Sequence, residues 1–255
     1  MQRMNFIQVL LSLLVILAPT AVLAQSDTLD VRQVMDRMDR LYRSQRSYSE
    51  VEMVVTNPNW ERSMRLEIWG EGLKKTFIAI NSPKKDAGIA TLRLGNEMWN
   101  YFPKIDKVMK VPPSMMMGAW MGSDFTNDDL VKESTFLEDY DARAVAPPDA
   151  EAGLAYFDLV AKEDAPTVWG RIEIVVQRQD LIPLRQVYYD EDGRKMRRMD
   201  FLQVRDLGGR RVPTLIEIVP LHKEGHKTAF RYMQAQFDGE IEPELFTLRN
   251  LRQKR

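Results

Sequence analysis

The sequence predicts a single-domain α+β fold: a strongly curved antiparallel sheet of about eleven strands, an unclosed half-barrel, covered by an N-terminal helix and a helical insertion. Three observations carry this expectation. Apolar and polar residues alternate along most segments after Ser47; turn-forming residues separate nearly all of those segments; and amphipathic or irregular stretches near 30–42 and 113–140 interrupt the pattern. A flat sheet that wide tends to curl or split, and curling leaves a concave apolar face that needs a cover.

The elements follow in order. Val31, Val34, Met35, Met38, Leu41 and Tyr42 recur at spacings of three and four, with Asp36, Arg37, Asp39, Arg40 and Arg43 on the other face, which predicts an amphipathic helix. After Ser47 the period becomes two. Val51, Met53 and Val55 form a strand that stops at Asn57-Pro58-Asn59; Met64, Leu66 and Ile68 form a second; Thr76 to Ile80 form a third ending at Ser82-Pro83. Residues 91–94 and 97–102 flank Gly95-Asn96, which tolerates the positive φ of a tight hairpin. Pro112-Pro113 ends a strand over Lys107–Val111 because proline donates nothing to a ladder. Thr126, with Asp129 three residues on, has the pattern of a helix N-cap and acidic N3 residue and predicts a short helix from Asn127 toward Glu133. Six further strands are expected at 154–162, 168–178, 184–189, 195–204, 214–220 and 227–237.

Arg3 is the only charge before Asp27, Phe6 to Leu17 is nearly all apolar, and Val22-Leu23-Ala24 presents compact side chains to a signal peptidase. This predicts a cleaved secretory signal over 1–24, a mature domain over 25–255 and a periplasmic location, with no cysteine after Ala24 to carry a lipid. The apolar core of the leader, about twelve residues, is shorter than the roughly 20 that span a bilayer as a helix.

The absence of cysteine removes disulfides, thiolate metal sites and a cysteine nucleophile. A formal charge of −1 gives no broad field for nucleic acid. Two basic clusters, Arg194/Lys195/Arg197/Arg198 and Arg249/Arg252/Lys254/Arg255, read as solvated faces or as contacts for anionic head groups. No catalytic constellation is visible. The two histidines, His222 and His226, sit around a turn and lack both a third ligand and a neighbouring Glu base. No G-x-S-x-G elbow, P-loop or dinucleotide fingerprint occurs. Asp124, Asn127, Asp128 and Asp129 lack the spacing and glycine of an EF-hand and suit a helix cap better. The paired carboxylates Glu138/Asp139 and Glu191/Asp192 lie in polar segments that would not raise a carboxyl pKa. The expectation is a protein that is not an enzyme and uses no cofactor.

The stretch Met98 to Leu130 is the most distinctive. Met115, Met116, Met117 and Met121, with Trp120, read as the lining or lid of an apolar site, as core, or as thioether ligands for copper(I); Gly118 and Gly122 supply hinge-capable positions. Trp99 to Pro113 (WNYFPKIDKVMKVPP), Gly122 to Leu130 (GSDFTNDDL) and the closing PELFTLRNL occur in the order in which they resemble the outer-membrane lipoprotein-sorting family, the LolA-like proteins of the Gram-negative periplasm. The resemblance covers the mature chain. It implies an unclosed barrel capped by helices, with a cavity for the acyl chains of a lipid or lipoprotein, and a branch associated with lipid-exporting inner-membrane transporters. On that basis the candidate lining or lid residues are Trp69, Trp99, Tyr101, Met115, Met116, Met117, Trp120, Met121 and Phe125. The expected role is a monomeric periplasmic carrier passing acyl chains toward an outer-membrane acceptor. The alternative is a lipid or lipoprotein sensor or adaptor docked on a membrane regulator.

Overall fold

The computed structural model describes residues 29–131, 136–165 and 167–252. The predicted leader lies outside those residues, as do Lys254 and Arg255 of the basic tail and the end of the helix expected toward Glu133. Among the described residues, thirteen strands form one sheet. They are β1 (Arg46–Asn57), β2 (Trp60–Glu71), β3 (Lys75–Ser82), β4 (Ala90–Leu94), β5 (Glu97–Phe102), β6 (Lys107–Lys110), β7 (Tyr140–Val145), β8 (Leu154–Ala161), β9 (Arg171–Gln177), β10 (Pro183–Tyr189), β11 (Lys195–Leu207), β12 (Arg210–Pro220) and β13 (Lys227–Phe237). Helix α1 spans Val31–Asp39, α2 Asn127–Val131, α3 Phe136–Asp139 and α4 Leu248–Leu251.

The order in the sheet is β6-β5-β4-β3-β2-β1-β13-β12-β11-β10-β9-β8-β7, antiparallel throughout. The first and last strands pair in the middle, so the free edges belong to β6 and β7, which are consecutive in the chain. The connection between them, residues 111–139, therefore has to travel from one edge of the half-barrel to the other. It contains the Met-rich stretch, α2 and α3. On β6 the edge carries Lys107 and Lys110, charges that discourage pairing with another chain.

Alternation sorts the side chains. Val51, Met53 and Val55 of β1 point inward opposite Leu66 and Met64 of β2 on one side and Tyr232, Phe230 and Thr228 of β13 on the other. Phe201 of β11 faces Ile216 of β12, which faces Phe230. Trp120 from the insertion closes this inner cluster. A second inner cluster lies under α1, where Val34, Met35 and Met38 meet Phe157, Leu159, Ile172, Ile174 and Val176 of β8 and β9. The helix is capped by Asp30, whose side chain accepts a hydrogen bond from Arg32 N at 2.9 Å. A third cluster lies on the outer face: Phe77, Ala79, Ala90, Leu92 and Tyr101 are covered by Leu245, Phe246 and Leu251 from the C-terminal turns.

Three details differ from the sequence expectation. The sheet has thirteen strands because β7 is present; its YDARAV carries no alternating bulky residues, and exposure along most of its length suits an edge. Its burial is confined chiefly to Tyr140. The C-terminal cover of the outer face also lacks a helical period, consisting of single turns at Pro243–Phe246 and Leu248–Leu251. Finally, β11 runs to Leu207 past an irregular residue, Gln203, which has φ of 54° and whose carbonyl accepts a hydrogen bond from Thr214 Oγ1 at 2.8 Å, while the pairing with β12 keeps its register on both sides. The β11–β12 hairpin lies against the exit of α1, where Tyr42 donates to the Pro213 carbonyl at 2.7 Å and stacks on Tyr232 at 4.6 Å.

Met53 is completely buried between two sheet neighbours. Met53→Ala should cost about 2–5 kcal/mol in chemical denaturation, whereas Glu50→Ala on the exposed side of the same strand should stay within about 0.5 kcal/mol.

Candidate functional site

The two covers touch where the Phe136 amide of α3 meets Asp39 of α1, but they do not fill the inner face. Between α1 and the insertion the inner face keeps a mostly apolar cavity of about 310 Å³. Met38, Leu41 and Tyr42 come from the α1 side, Trp120, Phe125 and Leu130 from the insertion, and Ile78, Phe201, Ile216, Phe230 and Tyr232 from the sheet. The polar lining is sparse: Ser47, Thr76, Gln186, Asp129 and Arg43. A second chamber of about 250 Å³ adjoins it and shares Met38, Tyr42, Arg43, Asp129 and Phe136.

The insertion is held in place by specific bonds. Trp120 is 2% exposed, and its indole Nε1 donates to Thr91 Oγ1 at 3.1 Å. Thr91 in turn donates to Asn100 Oδ1 at 2.6 Å, so the inward polar residues of β4 and β5 serve as the seat for this ring. Arg62 on β2 donates to the Met121 carbonyl, and Thr228 on β13 is bonded to the amide and carboxylate of Asp124. At the start of α2, Thr126 Oγ1 accepts from Asp129 N at 3.1 Å and Asp129 Oδ2 accepts from Thr126 N at 2.8 Å, the reciprocal cap anticipated from sequence.

Asp129 has a second task. Both of its oxygens accept from Arg197 on β11, each at 2.6 Å, and the side chains are 6% and 14% exposed for Arg197 and Asp129. The guanidinium lies 4.4 Å from the centre of the Trp169 ring and 4.3 Å from that of Tyr188. Burial alone would raise the Asp129 carboxyl pKa; the Arg197 charge and the hydrogen bonds overturn this and hold it below the ordinary carboxylate range. Asp39, at the end of α1, accepts from Phe136 N at 3.1 Å and lines the second chamber. Burial raises its carboxyl to about 7, opposed by the Phe136 amide and the nearby Arg43 charge.

The candidate residues from sequence divide by face. Trp120 and Phe125 line the cavity, and Met116 and Met121 pack against the same inner cluster. Met115 and Met117 point outward, 58% and 48% exposed. Trp69, Trp99 and Tyr101 occupy the outer face, packed with the third cluster, because they sit on the opposite parity from Ile68, Met98 and Asn100. The four insertion methionines therefore do not converge as a thioether site. Gly122 is required for its φ of 75°, next to Met121 at 50°, while Gly118 packs where a Cβ would stand 3.0 Å from the Met115 carbonyl. With Asn127 N bonded to the Gly118 carbonyl and Asp128 N to that of Met116, the loop is an internally bonded plug rather than a strap swinging on two glycines.

The arginines of the first basic cluster have separate carboxylate partners. Arg197 is buried against Asp129, Arg198 pairs with Asp200, and Arg194 pairs with Asp192. His222 and His226 fall in the turn between β12 and β13. Among the described residues, no three His, Asp or Glu side chains come together as a metal site. Sequence reasoning missed Tyr42 and Arg43 at the end of α1 and Phe230 and Tyr232 on β13 as lining residues; the alternating bulky residues of Thr228, Phe230 and Tyr232 were the available signal.

An unclosed, helix-covered sheet around an apolar cavity defines a LolA-like half-barrel. The family model described as "-like: Uncharacterized protein" matches residues 72–253, and the chain belongs to that family. It superposes on the crystal structure of a DUF1329 family protein from Desulfovibrio piger with a TM-score of 0.77 and 21% identity, covering 88% of this chain and 100% of that one. A structure described as an outer membrane lipoprotein-sorting protein domain from Vibrio parahaemolyticus gives 0.72 at 16% identity, and a LolA superfamily protein from Nitrosomonas europaea gives 0.70 at 16%, each with the same coverages of 88% and 100%. At these identities the likeness establishes the fold. No curated protein matches the chain.

Arg197→Met should cost about 3–5 kcal/mol by stranding the Asp129 charge, and adding Asp129→Leu should restore much of the loss, both read from denaturation midpoints. The raised carboxyl of Asp39 contributes stability that is fully present below the ordinary carboxylate range and is lost as pH rises through about 7. Asp39→Asn should therefore flatten the fall in unfolding free energy between about pH 4 and pH 7.

Proposed function

We propose that this protein is a periplasmic carrier of acyl chains, holding those of a lipid or lipoprotein in the cavity between α1 and the insertion and releasing them toward an outer-membrane acceptor. The observation that carries this reading is the apolar cavity of about 310 Å³ left open inside a closely covered sheet. Its fold is shared with structures from the lipoprotein-sorting superfamily, and the apolar leader with its compact Val22-Leu23-Ala24 end fits delivery across the inner membrane.

The mechanism asks for no bond to be made or broken. Each methylene taken out of water contributes about 0.8 kcal/mol, so a carrier has to compete with a bilayer without holding its cargo irreversibly. Displacing the insertion would open the cavity and expose Trp120, Phe125 and Leu130, which favours handing the chain to another apolar site. Docking beside a lipid-exporting inner-membrane transporter belongs to the same reading.

Thr76 lines the cavity on the inward parity of β3. Thr76→Trp should fill it and weaken binding of a fluorescent fatty acid by about tenfold or more while leaving the thermal midpoint within a few degrees. Transfer of labelled lipid between two vesicle populations should accelerate with the wild-type chain. Tight binding without transfer would support the sensor or adaptor reading, and no binding at all would end both.

A further inference from the structure

At the far end of α1 the apolar cavity opens into a larger, polar basin of about 900 Å³, the two sharing Leu41, Arg43 and Gly72. Five arginines line this basin: Arg37, Arg40 and Arg43 from α1 and its exit, Arg210 and Arg211 from the β11–β12 hairpin. Their environments differ. Arg40 pairs with Asp36 at 2.8 Å and Arg211 with Asp180 at 3.3 Å. Arg210 is fixed in place, donating to the carbonyls of Arg43 at 2.9 Å and Arg40 at 3.4 Å, covering the Phe237 ring at 3.9 Å and standing 3.6 Å from Asp238.

Arg43 is different. It is half-buried, it lines the basin and both inner chambers, and no side-chain hydrogen bond or ion pair engages its guanidinium among the described residues. Burial lowers its pKa, against the raising influence of the nearby Asp39 and Tyr232. A partly desolvated guanidinium that keeps solvent contact and has no bonded partner is open to an anion, which would give it a charge-assisted bond. Arg37, exposed one turn before Arg40 and likewise without an ion pair among the described residues, adds positive potential at the same mouth.

We infer that the cargo is an anionic amphiphile, its acyl chain in the apolar cavity and a phosphate or carboxylate head on Arg43 at the junction with the basin. This rests on the carrier reading and narrows it: a neutral acyl chain would leave Arg43 desolvated and unmatched, whereas an anionic head gives it a charge-assisted bond. The neighbouring arginines supply further donors as the head emerges into the basin.

The test is a matched pair of ligands below their micellar concentrations, a monoacylglycerol and the same molecule carrying a phosphate, titrated into the purified protein by calorimetry. The phosphorylated form should bind about tenfold more tightly. Arg43→Gln should shrink that ratio toward one, Arg43→Lys should keep part of it, and Arg37→Gln, at an exposed position, should reduce it partially even if the Arg43 variants fail to fold. Inorganic phosphate at millimolar concentration should not displace the phosphorylated amphiphile. Equal binding of the two amphiphiles, or a ratio untouched by these substitutions, would overturn the head-group inference and leave the carrier reading standing. Displacement by inorganic phosphate alone would reassign the basin to a free anion. Binding of neither amphiphile would remove the carrier reading itself.

Discussion

Where the sheet is left open determines almost everything else. Because β1 pairs with β13, the two ends of the chain meet at the middle of the sheet, and the gap of the half-barrel falls between β6 and β7, strands joined by a single connection. That connection cannot avoid the gap. A loop placed there by topology becomes a cover as soon as it carries apolar side chains, and Trp120, Phe125 and Leu130 give it that character. The fold thus ties its cover covalently to both edges of the opening, which leaves displacement of the insertion as a local rearrangement requiring no separation of strands.

What keeps the insertion seated is a small number of polar bonds with apolar burial around them. The buried Arg197–Asp129 pair is a weak source of net stability, since desolvating two charges offsets most of their attraction, but it is a strong source of position. An Asp129 displaced from Arg197 leaves two charges in an apolar setting, so intermediate placements of α2 are penalised more than either a seated or a fully withdrawn one. Trp120 adds the apolar counterpart: burying a large side chain contributes about 1.5–3 kcal/mol, and its N–H finds Thr91 only when the ring is fully home. The insertion consequently has a defined closed position without an interlocked loop of glycines.

Much of this was legible in the sequence. The period-two runs located twelve of the strands, and Thr126 with Asp129 announced the helix cap that Asp129 does form. What could not be read was which face each strand turned inward. Trp69 and Ile68 are neighbours in sequence and lie on opposite sides of the sheet; the outward tryptophan is as apolar as an inward one because α4 and the turn before it cover the outer face there. Composition assigns such residues to an interior but not to which interior. Arg197 shows the opposite failure. Within Arg194-Lys195-Met196-Arg197-Arg198 it reads as one cation among several, yet strand parity turns it inward, and its carboxylate partner lies on a segment remote in sequence. Long-range pairing of this kind leaves no local trace.

Arg43 brings these lines together. The helical period that predicts α1 extends through Tyr42, and on a helical wheel Arg43 belongs with the solvated charges. The chain instead leaves the helix after Asp39 and turns over the mouth, with the Arg43 carbonyl fixed by Arg210 from the β11–β12 hairpin. A residue that local pattern places in water is thereby brought over an apolar chamber, where that chamber meets a basin of arginines. A guanidinium at that position loses part of its hydration, with the Asp39 charge nearby but no bonded partner among the described residues. An anion arriving with an apolar chain supplies both missing terms, the charge at Arg43 and the contacts along the walls below it, and the same geometry sets the orientation of the cargo, tail inward and head at the α1 end.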